Sequence, residues 1–313
     1  MNNPDLSASV HMPIPEFRVV GFPGPFRAWG IDALHGLLAQ SGHNLVVMDH
    51  LSDDRSAVQM LLGLDHASER RDIPVVAFID APGPALQALL ADGVDEITHT
   101  RAMTAILAGL SGLDRRTDAL VIRPAAGADL SATARHLAKW LGLAGGDIAP
   151  APVPIAELGG FTRQIADELL TPMLDAVLSG VRQEFLLPRE CLLCRTHDPA
   201  APVVDISGPA RPLYFGPFFH FPHGPWQVEL ELWFSDDVGD ASFAAELFTG
   251  VLLSRARMRP GRGGWFRAAF PVQIDQPEIP IELRIWVERG AIEGRMGLRQ
   301  IKFVPVIPSA VDP

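Results

Sequence analysis

The stretch Phe17-Arg18-Val19-Val20-Gly21-Phe22-Pro23-Gly24-Pro25-Phe26-Arg27 decides how the N-terminal half is read. A short apolar strand runs into a Gly/Pro loop, after which Trp29, Ala33, Leu34, Leu37 and Leu38 recur at helical spacing. In open α/β sheets the loop leaving the first strand faces the ligand crevice, and a helix starting there turns free N–H groups towards anions. A phosphate-cradling loop needs glycines for close approach, a Lys or Arg for charge, and a Ser or Thr hydroxyl. Here Pro23 and Pro25 each remove an N–H donor, Phe26 is bulky, and only Arg27 is charged. The position is that of a nucleotide site, and the groups that would hold a nucleotide are missing.

Outward from that loop, residues 44–48, 74–79 and 119–122 are continuous apolar runs, the mark of buried parallel strands. Helical patterns over 85–91, 101–110 and 131–143 alternate with them. The last is opened by Asp129 or Ser131 as cap and closed near Gly145-Gly146. This order predicts a doubly wound parallel sheet over residues 16–150, behind a disordered tail at 1–15. A proline-rich segment at 148–158 leads into a helical connector, taken as 151–200, in which Ile165, Leu169, Met173, Leu174, Val177 and Val181 share a face. Thr171-Pro172 either starts a second helix there or kinks a single one. From 201 to 313 short alternating runs separated by Gly and Pro predict an all-β domain, a β-sandwich of jelly-roll type. Residues 195–203 (RTHDPAAPV) read as an exposed linker before it.

At 313 residues and 48% hydrophobic content the chain has material for two cores. The net charge of −11 argues against nucleic acid, whose phosphates need a basic face. No apolar run approaches the ~20 residues of a membrane span, and no basic leader precedes an apolar one, so the expected location is the cytoplasm. Two cysteines, Cys191 and Cys194, cannot make a disulfide framework.

Three segments of residues 17–145 resemble the sulfotransferase branch of P-loop folds. They are Val19-Val20-Gly21-Phe22-Pro23, then Val76-Ala77-Phe78-Ile79-Asp80-Ala81-Pro82, and Ala119-Leu120-Val121-Ile122-Arg123 followed by a helix ending in Leu141-Gly142-Leu143. The resemblance implies a P-loop-type α/β fold whose donor loop is vestigial at Gly21, Pro23, Gly24 and Arg27. The family's donor-loop Arg, Ser, Gly and two Thr positions are occupied by Gly24, Pro25, Phe26, Arg27 and Ala28, and its second donor motif becomes Asp80-Ala81-Pro82 with Ala88 in place of Ser. On that resemblance the chain is a pseudo-sulfotransferase with no catalytic residues and no cofactor. An alternative is a transferase whose donor site is rebuilt around Arg27 and Arg123. Leu45-Val46-Val47-Met48-Asp49, Ile73-Pro74-Val75-Val76 and Asp92-Gly93-Val94-Asp95-Glu96-Ile97 also resemble a receiver domain, without its Mg²⁺-binding acidic pair or its Lys. The all-β part resembles carbohydrate-binding jelly rolls in a general way.

Alternation places Trp233 among Glu229 and Glu231, Trp286 among Glu282, Arg284 and Glu288, and Trp265 beside Arg267, all opposite the aliphatic positions. Trp233, Trp265, Trp286, Arg267 and Arg284 are therefore the ligand-binding candidates, because an indole packs on the C–H face of a pyranose while charged groups bond its hydroxyls. The competing use of that face is packing on the connector or on a second copy of the chain. Arg255, Arg257, Arg259, Arg262 and Arg267 fall at strand spacing, which fits a solvated strand face and turn. The Cys191-x-x-Cys194 pair, with His197, His220 and His223, is too sparse for zinc, and no metal is expected. Isolated pairs at Ser41-Gly42-His43, Asp49-His50 and Asp65-His66 lack any motif that would order them for catalysis. The sequence thus points to a non-catalytic accessory protein that binds a glycan or a protein partner in bacterial polysaccharide or glycoconjugate synthesis.

Overall fold

The computed structural model describes residues 17–21, 24–41, 45–48, 58–62, 74–91, 93–111, 113, 116–123, 129–143, 158–194 and 200–306. Expectations that fall on the N-terminal tail, Pro23, His43, Asp49-His50, Asp65-His66 or His197 lie outside them. The chain divides into two compact units. One comprises Met1–Val20, Phe26–Ile79 and Thr117–Val153, and the other Gly21–Pro25, Asp80–Arg116 and Pro154–Pro313.

In chain order the N-terminal elements are β1 (Phe17–Gly21), α1 (Pro25–Gln40), β2 (Leu45–Met48), β3 (Val58–Leu62), β4 (Val75–Phe78), α2 (Pro82–Leu90), α3 (Glu96–Leu110), β5 (Ala119–Ile122) and α4 (Leu130–Trp140). The sheet runs β2-β3-β1-β4-β5, with β2 and β1 parallel to β3 and β4 parallel to β5. β4 is buried along its whole length, as a continuous apolar run should be. Helices α1 and α4 share one core cluster with β1, β4 and β5. Gly30 lets α1 sit directly on β4, since a Cβ there would stand 2.5 Å from the Phe78 ring. Asp129 caps α4 by accepting from Ser131 N–H at 2.9 Å, and the helix stops at left-handed Gly142, ahead of the Gly145-Gly146 expected to close it.

The doubly wound reading of residues 16–150 needs correction, because α2 and α3 cluster with the C-terminal unit. Both helices pack on the helices of the connector, and α3 also reaches β8 (Arg211–Phe219). Arg101 Nε donates to the Pro217 carbonyl at 2.7 Å and its guanidinium lies over the Phe218 ring, while Thr104 Oγ1 accepts from His220 N–H at 3.2 Å. Such contacts, 116 residues apart in sequence, leave no trace in periodicity.

The connector is one helical run, α5 (Gly160–Gln164), a π-helical turn (Ile165–Leu170) and α6 (Thr171–Ser179). Pro172 has no N–H to give, and the turn before it widens so that both Thr171 N–H and Thr171 Oγ1 reach the Ala166 carbonyl. Of the two readings of Thr171-Pro172, the structure shows an interruption within a continuous run.

The all-β part holds β6 (Phe185–Leu187), β7 (Val203–Asp205), β8 (Arg211–Phe219), β9 (Gly224–Phe234), β10 (Phe243–Phe248), β11 (Leu252–Met258), β12 (Gly264–Ile274), β13 (Ile281–Val287) and β14 (Arg295–Pro305). One sheet runs β11-β10-β13-β8, and the other runs β12-β9-β14-β6 with β7 also on β14. Setting β7 aside, the first of the eight strands pairs with the last, the second with the seventh and the third with the sixth, all antiparallel. That is jelly-roll connectivity. Two boundaries move as a result. The connector supplies β6, whose three residues are too short to alternate. The expected linker is anchored where it is described: Ala200 N–H donates to the Leu192 carbonyl, the Ala201 carbonyl accepts from Tyr214 Oη at 2.9 Å, and Val203 pairs with Gly297.

The close approach of α1 to β4 gives a test. Gly30→Ala forces a methyl group onto Phe78, and overpacking of this kind costs about 1–3 kcal/mol. A lowered thermal midpoint checks it, whereas Gly93→Ala, where added bulk meets nothing within 4 Å, reports backbone strain alone.

Candidate functional site

β9 is the centre of the five-stranded sheet and the clearest alternation in the chain. Trp226, Val228, Leu230, Leu232 and Phe234 point inward and are buried, with Phe234 meeting Phe243 of the opposite sheet at 4.7 Å between ring centroids. The intervening residues Glu229, Glu231 and Trp233 therefore face out. Register carries that face across the sheet. Trp265 is directly opposite Trp233, which is opposite Gly297; Arg267 is opposite Glu231, which is opposite Gln300. Trp233 lies over Gly297, where an added Cβ would be in ordinary contact with its Cε3 at 3.6 Å. Trp233 is half-buried, and Trp265 stands 61% exposed.

Next to this row is a cleft of about 380 Å³ between the outer sheet face and the connector helix. Glu231, Arg299 and Gln300 form its sheet side, Arg189 and Glu190 its floor after β6, and Gln164 and Glu168 its helical side. Glu231 ties the cleft to the tryptophan row. Arg267 Nη2 donates to its Oε1 at 3.2 Å, Arg299 Nη1 lies 3.8 Å from its Oε2, and the Arg299 guanidinium sits 5.5 Å from the Trp265 ring centroid. Gln164 Nε2 donates to Glu168 Oε2 at 3.0 Å, Arg189 pairs with Glu190, and Arg189 Nε is buried without a hydrogen-bond partner among the described residues. Fixed carboxylates, amides and guanidiniums beside an open indole suit a ligand rich in hydroxyls.

Arg299, Gln300 and the helical side were missed by the sequence reading. A bulge between Leu298 and Gln300 takes Arg299 out of the alternation, so no pattern announces it. The five expected residues do not converge either. Trp233, Trp265 and Arg267 share the outer face of one sheet, while Trp286 and Arg284 lie on β13 in the other. Arg284 is engaged: Glu282 accepts from it at 2.6 Å, its guanidinium sits 4.1 Å from the Phe248 ring centroid, and the bond from Glu282 raises its pKa. Trp286 is half-buried, with its indole N–H enclosed and lacking a partner among the described residues. Arg255 pairs with Glu246 and Glu288, and Arg257 with Glu288, so these two members of the basic run form ion pairs on a strand face.

At the N-terminal loop, Gly24 presses on Asp80: a Cβ there would stand 2.3 Å from Asp80 Oδ2. The Asp80 carboxylate is buried against the loop there, and burial lowers the Arg27 pKa below its ordinary value. Cys191 is buried in the 3₁₀ turn Arg189–Cys191, where desolvation pushes its thiol up, away from the thiolate a metal would need. His220 Nδ1 is 3.0 Å from the Pro277 carbonyl, and no group of three metal-ligating side chains occurs among the described residues. No described helix is long and apolar enough to cross a membrane.

No family model matches the chain, and no curated protein matches it. The sulfotransferase and receiver resemblances thus find no support in either comparison. Among solved structures, the chain is similar to the CBM36-1 domain of a xylanase from the hindgut metagenome of Trinervitermes trinervoides, at 11% identity over 33% of this chain and 77% of that one, with a TM-score of 0.23. It is likewise similar to the C-terminal CBM6 of LamC from Zobellia galactanivorans, at 14% identity over 33% and 98% with a TM-score of 0.23. A carbohydrate-binding module from Cellvibrio mixtus lichenase 5A, solved in complex with cellotriose, shows 14% identity over 34% and 71% with a TM-score of 0.22. At these scores the assignment of the jelly roll rests on strand order and register.

Burial separates the tryptophans of this unit in a measurable way. Trp226 is fully enclosed with Nε1 donating to the Pro222 carbonyl at 3.0 Å, and Trp226→Ala is expected to cost about 3–5 kcal/mol. Trp265→Ala is expected to change stability by about 0.5 kcal/mol or less. Urea unfolding of both variants checks the contrast.

Proposed function

We propose that the outer face of the five-stranded sheet is a glycan-binding surface, with Trp265 as the stacking platform and the Glu231–Arg299–Gln300 cleft as the hydroxyl-binding side. The observation that carries this reading is the 61% exposure of Trp265 on a row with Trp233, beside a polar cleft. An indole held open on a rigid strand costs little to order on binding, and its flat face matches the axial C–H groups of a sugar ring. The chain then acts as an accessory factor in polysaccharide or glycoconjugate synthesis, its α/β unit keeping a P-loop-like strand order without a working donor loop. A rebuilt transferase is disfavoured by the carboxylate of Asp80 under Gly24.

Affinity electrophoresis of the intact chain through gels containing soluble polysaccharides tests the reading. At least one polysaccharide should retard the protein, Trp265→Ala should abolish the retardation, and Trp286→Ala should leave it unchanged. Retardation that survives Trp265→Ala and is lost with Trp286→Ala would move the site to the other sheet.

A further inference from the structure

We infer that the glycan bound on this face is anionic, bearing carboxylate or sulfate groups; the inference rests on the glycan-binding reading above. Two guanidiniums, Arg267 and Arg299, share the single carboxylate of Glu231. Both arginine side chains are about two-thirds exposed, at 65% and 68%, while Glu231 is 26% exposed. Pairing therefore leaves one positive charge uncompensated, and the cations are the accessible members of the triad. The Arg299 guanidinium lies 5.5 Å from the Trp265 ring centroid, so a sugar stacked on that indole brings its substituents within reach of a planar fork of N–H donors. Carboxylates and sulfate esters match that fork in a bidentate manner, which a neutral hydroxyl cannot.

The surroundings carry both signs. The turn into β12 adds exposed Arg259 and Arg262. Asp236 beside Gly263 and Asp237, which accepts from Ser235 Oγ, lie next to that turn and offset the two arginines. Deeper in the cleft Glu190 pairs with Arg189, and Glu168 accepts from the neutral amide of Gln164 and keeps its charge, so the excess of cations is confined to the Glu231 triad. The chain as a whole carries −11, so a polyanion meets repulsion at long range. Attraction must be local to this corner, where opposite charges act within a Debye length of about 10 Å at 0.1 M salt.

Calorimetric titration of the full chain with matched pairs of oligosaccharides tests this. Galacturonan and alginate fragments are set beside their esterified forms, and sulfated agaran fragments beside desulfated ones. The charged member of a bound pair should bind about fivefold tighter or more at low salt, with the preference shrinking as salt rises. Arg267→Gln/Arg299→Gln should weaken both members and bring the charged one down to the affinity of its neutral counterpart, and Trp265→Ala should lose both members. Equal binding of charged and neutral members, dependent on Trp265, would overturn the anionic preference and leave the glycan-binding reading standing. If none of the six ligands bound, both readings would fall together.

Discussion

The strict alternation along Gly224–Phe234 is the constraint on which the rest of the candidate site depends. Five inward side chains at essentially zero exposure join this strand to the opposite sheet, and each large one contributes about 1.5–3 kcal/mol relative to exposure. Because the strand period is two, a slip of one residue would bury Glu229, Glu231 and Trp233 and expose the core. Burial thus fixes which side chains face out, and the observed register sets Trp265 opposite Trp233 and Arg267 opposite Glu231 on that face.

The two ends of the molecule use charge in opposite ways. At the N-terminal loop a buried carboxylate lies where a phosphate-binding fold would want positive charge and open backbone, and the glycine beside it serves close packing. On the sheet face the carboxylate of Glu231 is instead outnumbered by exposed guanidiniums, and desolvation is slight.

Much of the β unit was legible from the sequence because alternation is a local signal. The outward direction of Trp233 and Trp265 follows from their neighbours Glu231 and Arg267. What escaped was set by contacts distant in the chain. Phe185–Leu187 is too short to show a period, yet it is the first strand of the jelly roll. The grouping of α2 and α3 with the C-terminal unit comes from their packing on the connector helices and on β8, and Arg299 enters the cleft because a bulge breaks the alternation there. Trp286 obeys the same alternation as Trp265 but belongs to the other sheet, a difference that only strand order reveals.

The most direct test of the central claim is the indole N–H region of the NMR spectrum, where each of the six tryptophans gives one resonance. On addition of an acidic oligosaccharide, the Trp265 resonance should move most and that of Trp233 should follow, while Trp29, Trp226 and Trp286 stay in place. Movement of Trp286 with Trp265 unaffected would contradict the claim that the five-stranded sheet presents the ligand-binding face.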